Sequence, residues 1–437
     1  MKRAIVLAGG GAKGAYQIGF WMALRELGID FDIVTGSSVG ALNAALFVQG
    51  DFDAALSMWE NIKTEDIFEK SPSHISTIMN TEGLANGLKP IFGDLASDAV
   101  NERFDSYPLA KLIESRLDEE KVRSSGKILG IMTTEYPIFK CASFTLNDIP
   151  KGRIGDYLLA SSTVFPSMEP KAIRGKKYVD GGYSDNIPVN LALDLGANEI
   201  IACFLNASGV NGKYQTDYPV RIVKPHFYLG PSMDFDSKTA KRNIVLGYND
   251  TMRSFGNYEG HWYTFQTGES EKFLRKYSWV FANALEEFKI CKHSDISHFY
   301  ECSFIKNFAD SKNARAGTMA RFFPILAAET AGEIYELDPL PVYTEEFFTE
   351  SLLKAYEPTV SETNAIQEIL TGKSSIAAKT KMLSDIDSKT IVSYFTENMA
   401  KRGNDKTIKT NLALLSRIAP GEFLASIYIS KIKGTLI

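Results

Sequence analysis

Ser38 sits in Gly36-Ser37-Ser38-Val39-Gly40, a G-x-S-x-G spacing preceded by the apolar Phe31, Ile33 and Val34 and followed by "VGALNAAL". A strand that enters a helix through a glycine-flanked turn strains the backbone and pushes a serine hydroxyl outward. It also aims a helix N-terminus at that serine, where negative charge is favoured. A nucleophile attacking a carbonyl needs both features. The competing reading is a pair of turn serines, Ser37 and Ser38, that cap the helix. A nucleophilic serine also needs a base, and the chain has only five histidines, none in an evident motif.

Two further stretches bear on that base and on the charge the reaction would develop. "LAGGGAKGAY" sets Gly9, Gly10, Gly11, Lys13 and Gly14 between an apolar run and a helical one. Gly9, Gly11 and Gly14 fit G-x-G-x-x-G, the dinucleotide fingerprint, so a Rossmann-type NAD(P)-binding protein is a rival reading. That fingerprint expects an acid toward the end of the second strand. Here that end reads Thr35, Gly36, Ser37, while Asp30 and Asp32 lie at its start. The glycines can instead form an oxyanion hole from the N–H groups of Gly10 and Gly11, with Val39 N–H as a third donor. Lys13 would add positive charge there, or stand solvated in the loop. In "YVDGGYSDNIPV", Asp180-Gly181-Gly182 reads first as a turn. It also offers a carboxylate that could deprotonate Ser38 without histidine. An ordinary aspartate, with a pKa of about 3.9, is a weak base; burial would have to raise it.

Composition narrows the rest. A chain of 437 residues exceeds what one core usually holds, so two or more domains are expected. The net charge of −5 offers no basic excess for nucleic acid. Cys141, Cys203, Cys291 and Cys302 form no C-x-x-C pair, which signals neither a zinc site nor a disulfide framework and suits a reducing compartment. The apolar run Ala4–Ala8 is shorter than the roughly 7–15 residues of a signal-peptide core, and no stretch approaches the ~18 apolar residues of a membrane span. The expectation is a cytoplasmic protein able to visit a membrane surface. "GKSS" at 372–375 fails as a P-loop because position 367 is Gln367. The basic Lys171, Arg174, Lys176 and Lys177 suit a solvated hairpin tip first and contact with anionic lipid headgroups second.

The elements that must position these groups follow from periodicity. Strands are expected at 3–8 and 31–35, and helices at 14–27 and from Ala41 to Val48. Residues 50–125 look mostly helical. Strands return at "KILGIMTTE", "PIFKCASF", "KKYVDGG", "EIIACFL" and "VRIVKP". This alternation argues for an α/β sheet covered by helices. Beyond about residue 235 the period becomes helical, with Phe273, Tyr277, Val280, Phe281, Ala284, Leu285 and Phe288 forming one apolar face.

The three motifs in this order resemble the patatin-like phospholipase family. That family has a glycine-rich oxyanion loop, a G-x-S-x-G elbow and a D-G-G/A motif completing a Ser–Asp dyad. Asn186 and Pro188 match its habit after the last motif. "ASSTVFPSMEP" at 160–170 is similar to its intervening block but carries Thr163 and Val164 where alanines are usual, and Glu169 near an expected aromatic. The similarity covers roughly residues 1–205. It implies a mixed sheet between helices, Ser38 as nucleophile, Asp180 as general base and an acyl-enzyme on a lipid or other acyl-ester substrate. It implies no cofactor and no metal. An acyltransferase at the same site stays open. An α/β-hydrolase using His226 or His261 fits less well, since its elbow lies further along the chain. A silent interaction protein is a third alternative. The expected organisation is a catalytic domain at 1–205, an extension of its core at 206–265 and a helical C-terminal domain at 266–437. Oligomeric state stays open.

Overall fold

A computed structural model describes residues 2–68, 104–290, 303–311, 323–358, 363–401 and 406–435. Much of the stretch expected to be helical at 50–125, and both Cys291 and Cys302, lie outside the described residues. The chain divides into two compact units, 1–255 and 256–437.

The first unit is built on an eight-stranded mixed sheet. It opens with β1 (Arg3–Leu7), α1 (Ala15–Glu26), β2 (Ile33–Ser37), α2 (Val39–Gln49) and α3 (Phe52–Glu60). Then come α4 (Tyr107–Arg116), α5 (Glu119–Ser124), β3 (Ile128–Tyr136), β4 (Lys140–Thr145) and α6 (Ile154–Ser161). Next are β5 (Lys171–Ile173), β6 (Lys176–Asp180), α7 (Val189–Asp194), β7 (Glu199–Cys203), β8 (Val220–Val223) and α8 (Ser237–Ser254). The central strands β3, β2, β1, β7 and β8 are parallel neighbours. Their side chains are mostly buried, as expected of a sheet covered on both faces.

β3 carries the sheet's change of direction. One edge pairs with β4 throughout. The other edge is shared: β2 runs parallel to it up to Ser37 opposite Met132, and β6 runs antiparallel to it down to Asp180 opposite Thr133. Two strands thus end head to head at consecutive positions of a third.

Of the segment 206–265, expected as an extension of the core, residues 206–255 fall in this unit and 256–265 in the second. The loop 206–219 is tied back by the Asn186 N–H to the Val210 carbonyl (2.6 Å) and the Gly212 N–H to Asp185 (3.0 Å). α8 lies against α1 at backbone distance: a Cβ on Gly19 would meet the Ile244 carbonyl at 1.8 Å, and one on Gly247 the Tyr16 carbonyl at 2.0 Å. The Tyr16 hydroxyl donates to Asp250 across this contact (2.7 Å). The strand expected at 31–35 instead runs Ile33–Ser37, and Pro137–Phe139 is a turn rather than strand.

The second unit is mainly helical, with one two-stranded parallel pair joining Thr264–Phe265 to Val342–Tyr343. Its helix Glu269–Glu287 buries Phe273, Tyr277, Phe281, Ala284 and Leu285, followed by Phe288, while Val280 is half-buried. The buried Glu329 carboxylate gathers the N–H groups of His261, Trp262 and Tyr263 at 2.7–3.0 Å. Among the described residues, no helix is long and apolar enough to cross a membrane.

Candidate active site

The elbow is a backbone device. Ser38 has φ 52 and ψ −128, a conformation a non-glycine residue rarely takes. The flanking glycines allow it, for a Cβ on Gly36 would stand 2.1 Å from the Gly40 carbonyl and one on Gly40 2.2 Å from the Leu7 carbonyl. Ser38 occupies the cap position of α2, yet its side chain makes no capping bond. The capping reading therefore does not describe this serine. Its own N–H donates to Ser161 Oγ (2.9 Å), and Ser161 donates to the Met132 carbonyl (2.6 Å). The turn is thus pinned to β3 and α6.

The strand handover on β3 brings Asp180 to Ser38. The acid is 8% exposed. Burial pushes its pKa up to about 6, against the pull of the nearby Ser38 hydroxyl and of the Gly182 N–H. That N–H donates to Asp180 Oδ1 at 2.7 Å. Asp180 does close a turn, as its sequence suggests, and lies near Ser38 as well. Its N–H donates to the Thr163 carbonyl (2.8 Å), which gives one of the atypical residues in the 160–170 block a backbone task. Tyr183, beside the acid, has its own pKa raised by burial and by the Asp180 charge.

The glycine loop lies across the serine. A Cβ on Gly9 would meet Asn186 Oδ1 at 2.4 Å and Ser38 Cβ at 3.0 Å. Gly11 has φ 57, and a Cβ there would meet the Ser232 carbonyl at 2.0 Å. The same carbonyl accepts the Ala12 N–H (2.8 Å). The N–H groups of Gly10 and Gly11 have no acceptor among the described residues, and Val39 N–H belongs to the first helical turn, which has no intrahelical partner. A Cβ on Gly14 would strike Val39 and Trp59. The glycines thus make room for protein, not for a pyrophosphate, and the strand end beside them carries no acid.

Lys13 is not a solvated loop lysine. It is 9% exposed, reaches the Asn206 carbonyl at 3.4 Å and lies over the Tyr228 ring. Burial lowers its pKa. His226 acts on the buried Asp250, whose burial-raised pKa it lowers, and His261 belongs to the second unit.

Asn186 does more than its sequence position suggests. Its N–H, carbonyl and side chain reach the 206–219 loop, the Gly9 N–H (3.1 Å) and the Gly9 carbonyl (3.4 Å). It clamps the glycine loop to the DGG turn. Ser161 was not singled out by spacing; the doubled serine in "ASST" was its only trace.

At Ser38 an apolar cavity of about 90 Å³ runs along α2 between α3 and α4. Leu42, Leu46, Trp59, Ile113, Met168 and Phe235 line it, as does the atypical Val164. Glu169 is exposed and lies outside it.

The sequence profile of the patatin-like phospholipase family matches residues 5–193. Patatin-like phospholipase domain-containing protein 7 of Mus musculus is 27% identical over 207 residues, covering 46% of this chain and 13% of that protein. Lysophospholipase NTE1 of Mycosarcoma maydis is 26% identical over 206 residues, covering 46% of this chain and 10% of that protein. The matched segment is thus a small part of each relative's length. The crystal structure of VipD from Legionella pneumophila aligns over 97% of this chain and 91% of its own at 15% identity, with a TM-score of 0.38. The mixed sheet and the three motifs in order accompany the family profile: over residues 5–193 this chain matches the patatin-like phospholipase family.

Proposed function

We propose that the first unit is a serine lipid acyl hydrolase working through a Ser38–Asp180 dyad. The observation that carries this is a buried carboxylate, its pKa moved to about 6, near the Ser38 hydroxyl and near backbone N–H groups that have no acceptor among the described residues. Asp180 takes the hydroxyl proton as Ser38 Oγ attacks the ester carbonyl. The oxyanion is held by the N–H groups of Gly10, Gly11 and Val39; losing one such donor typically costs about 10²–10³ in rate. The proton on Asp180 passes to the leaving alcohol, which departs and leaves an acyl-enzyme. Water then attacks, Asp180 takes its proton, and Ser38 recovers that proton as the fatty acid leaves. The apolar cavity along α2 suits the hydrocarbon chain.

Covalent labelling with a fluorophosphonate probe tests this. The native chain is expected to react, and Ser38→Ala and Asp180→Asn are expected not to. Labelling retained in Ser38→Ala would place the nucleophile elsewhere.

A further inference from the structure

β3 does not stop where the nucleophile strand stops. β2 ends at Ser37 opposite Met132, while β3 continues with β6 to Tyr136. Four residues of extended chain carry two hairpin tips roughly 13 Å past the level of Ser37. One tip is Pro137-Ile138-Phe139 between β3 and β4, and the other is Arg174-Gly175 between β5 and β6. They are neighbours, since Tyr136 stands directly opposite Lys177.

The first tip has an aromatic foot and an apolar point. The Tyr136 and Phe139 rings lie 4.9 and 6.5 Å from Phe165, and Phe139 lies 5.9 Å from Tyr183, three residues from Asp180. Ile138 projects beyond them and is 64% exposed. Around this point stand Lys140, Arg174 and Lys177, all exposed and in no ion pair among the described residues. Lys176 is different, held by Glu135 at 2.9 Å. In a chain of net charge −5, three cations outside any ion pair among the described residues, beside an exposed isoleucine, are a local exception.

Arg174 also runs against its turn. It and Gly175 have φ 49 and 79. Two-residue hairpin turns with both central residues at positive φ favour Asn, Asp or Gly at the first place. Edge strands do carry lysines to block pairing with other chains, but that role does not account for Arg174, which sits at the turn rather than on a strand.

We infer that these two tips are the surface by which the unit docks on an anionic lipid bilayer. Ile138 enters the headgroup boundary while Lys140, Arg174 and Lys177 meet anionic headgroups. The dyad then faces the layer that holds its substrate. The biological sense of this rests on the lipid hydrolase reading; the binding itself does not.

Sedimentation with vesicles tests it, using the full chain carrying Ser38→Ala so that turnover plays no part. Vesicles of phosphatidylcholine and phosphatidylserine in equal amounts are expected to bind the chain, and phosphatidylcholine alone to bind it much less. Added salt is expected to weaken the anionic binding. Lys140→Ala, Arg174→Asn and Lys177→Ala together are expected to lower it at least about tenfold. Arg174→Asn keeps a residue the turn accepts. Ile138→Ser is expected to lower binding severalfold without changing its salt dependence. Equal binding to both vesicle types, unchanged binding of the triple variant, or no binding by the parent would overturn the inference. With Ser38 restored, the triple variant is expected to hydrolyse a soluble short-chain ester like the native chain. Absence of that hydrolysis in the native chain would sink the hydrolase reading and leave the binding result standing.

Discussion

Gly181 lies so close to Ser37 that a Cβ on it would stand 2.4 Å from Ser37 Oγ and 2.5 Å from the Met132 carbonyl. This is the contact between the two strand ends that meet on β3. The turn after the acid and the residue before the nucleophile are packed as one piece, and each fixes where the other points.

Gly181→Ala is therefore expected to separate the dyad. The carbonyl of Met132 belongs to the sheet and cannot yield as a side chain would. A stability loss of about 1–3 kcal/mol is expected from overpacking, with at least about a hundredfold fall in kcat, since small misplacements at a reacting pair cost this much. Denaturant unfolding and ester hydrolysis on the same preparation check both.

The raised pKa of Asp180 makes activity and stability move in opposite directions with pH. A base must be ionised, so kcat/KM for a soluble ester is expected to rise about tenfold per pH unit up to about pH 6 and then level off. Stability carries the reverse sign. The folded chain holds this proton more tightly than the unfolded chain, whose aspartate titrates near 3.9. Between about pH 4 and pH 6 this group therefore removes stability as pH rises. Above that window the buried charge costs on the order of 3 kcal/mol. Asp180→Asn is expected to be inactive yet to melt higher than the native chain at neutral pH, with the gap closing below about pH 4. Paired melts across pH read the difference free of the other carboxylates.

Asn186 is a positioning residue for the glycine loop. Asn186→Ala removes the side-chain bond to the Gly9 carbonyl and opens space against Gly9 and Gly182. A fall in kcat of about tenfold to a hundredfold with little change in KM is expected, because the oxyanion donors matter most in the transition state. A purely structural role would lower the melting temperature and leave kcat of the folded fraction unchanged.

The cavity predicts a chain-length effect. Leu46 lies eight residues along α2 from Ser38, or about 12 Å at 1.5 Å per residue. Leu46→Trp is expected to cut hydrolysis of long-chain esters at least about tenfold and to spare short-chain ones. Loss of both in equal measure would mean that the chain does not run along α2.

The candidate site is legible in the sequence because its motifs are local. Ser38, Asp180 and the glycines announce themselves within a few residues, and the backbone geometry they imply is what the structure contains. What stayed hidden depends on contacts between distant segments. Lys13 looked like a loop lysine because its burial comes from Asn206 and Tyr228, far along the chain. Ser161 had no motif because its role is set by strand register, which brings Met132 beside the elbow. The end of the first unit at 255 was obscured by a polar loop at 206–219 that resembles a linker but is stitched to Asp185 and Asn186. β2 lies two residues later than the expected 31–35 because pairing with β1 and β3 carries it through Gly36 to Ser37, residues of weak strand preference.

The shared edge of β3 also sets an order of assembly. A chain emerging from the ribosome presents Ser38 some 140 residues before Asp180, and until β6 arrives the upper half of that edge has no partner. The serine therefore stays without its acid until β6 is in place. Filling that edge and bringing the two residues together are one event, so a half-made chain has an open edge and no carboxylate beside its serine.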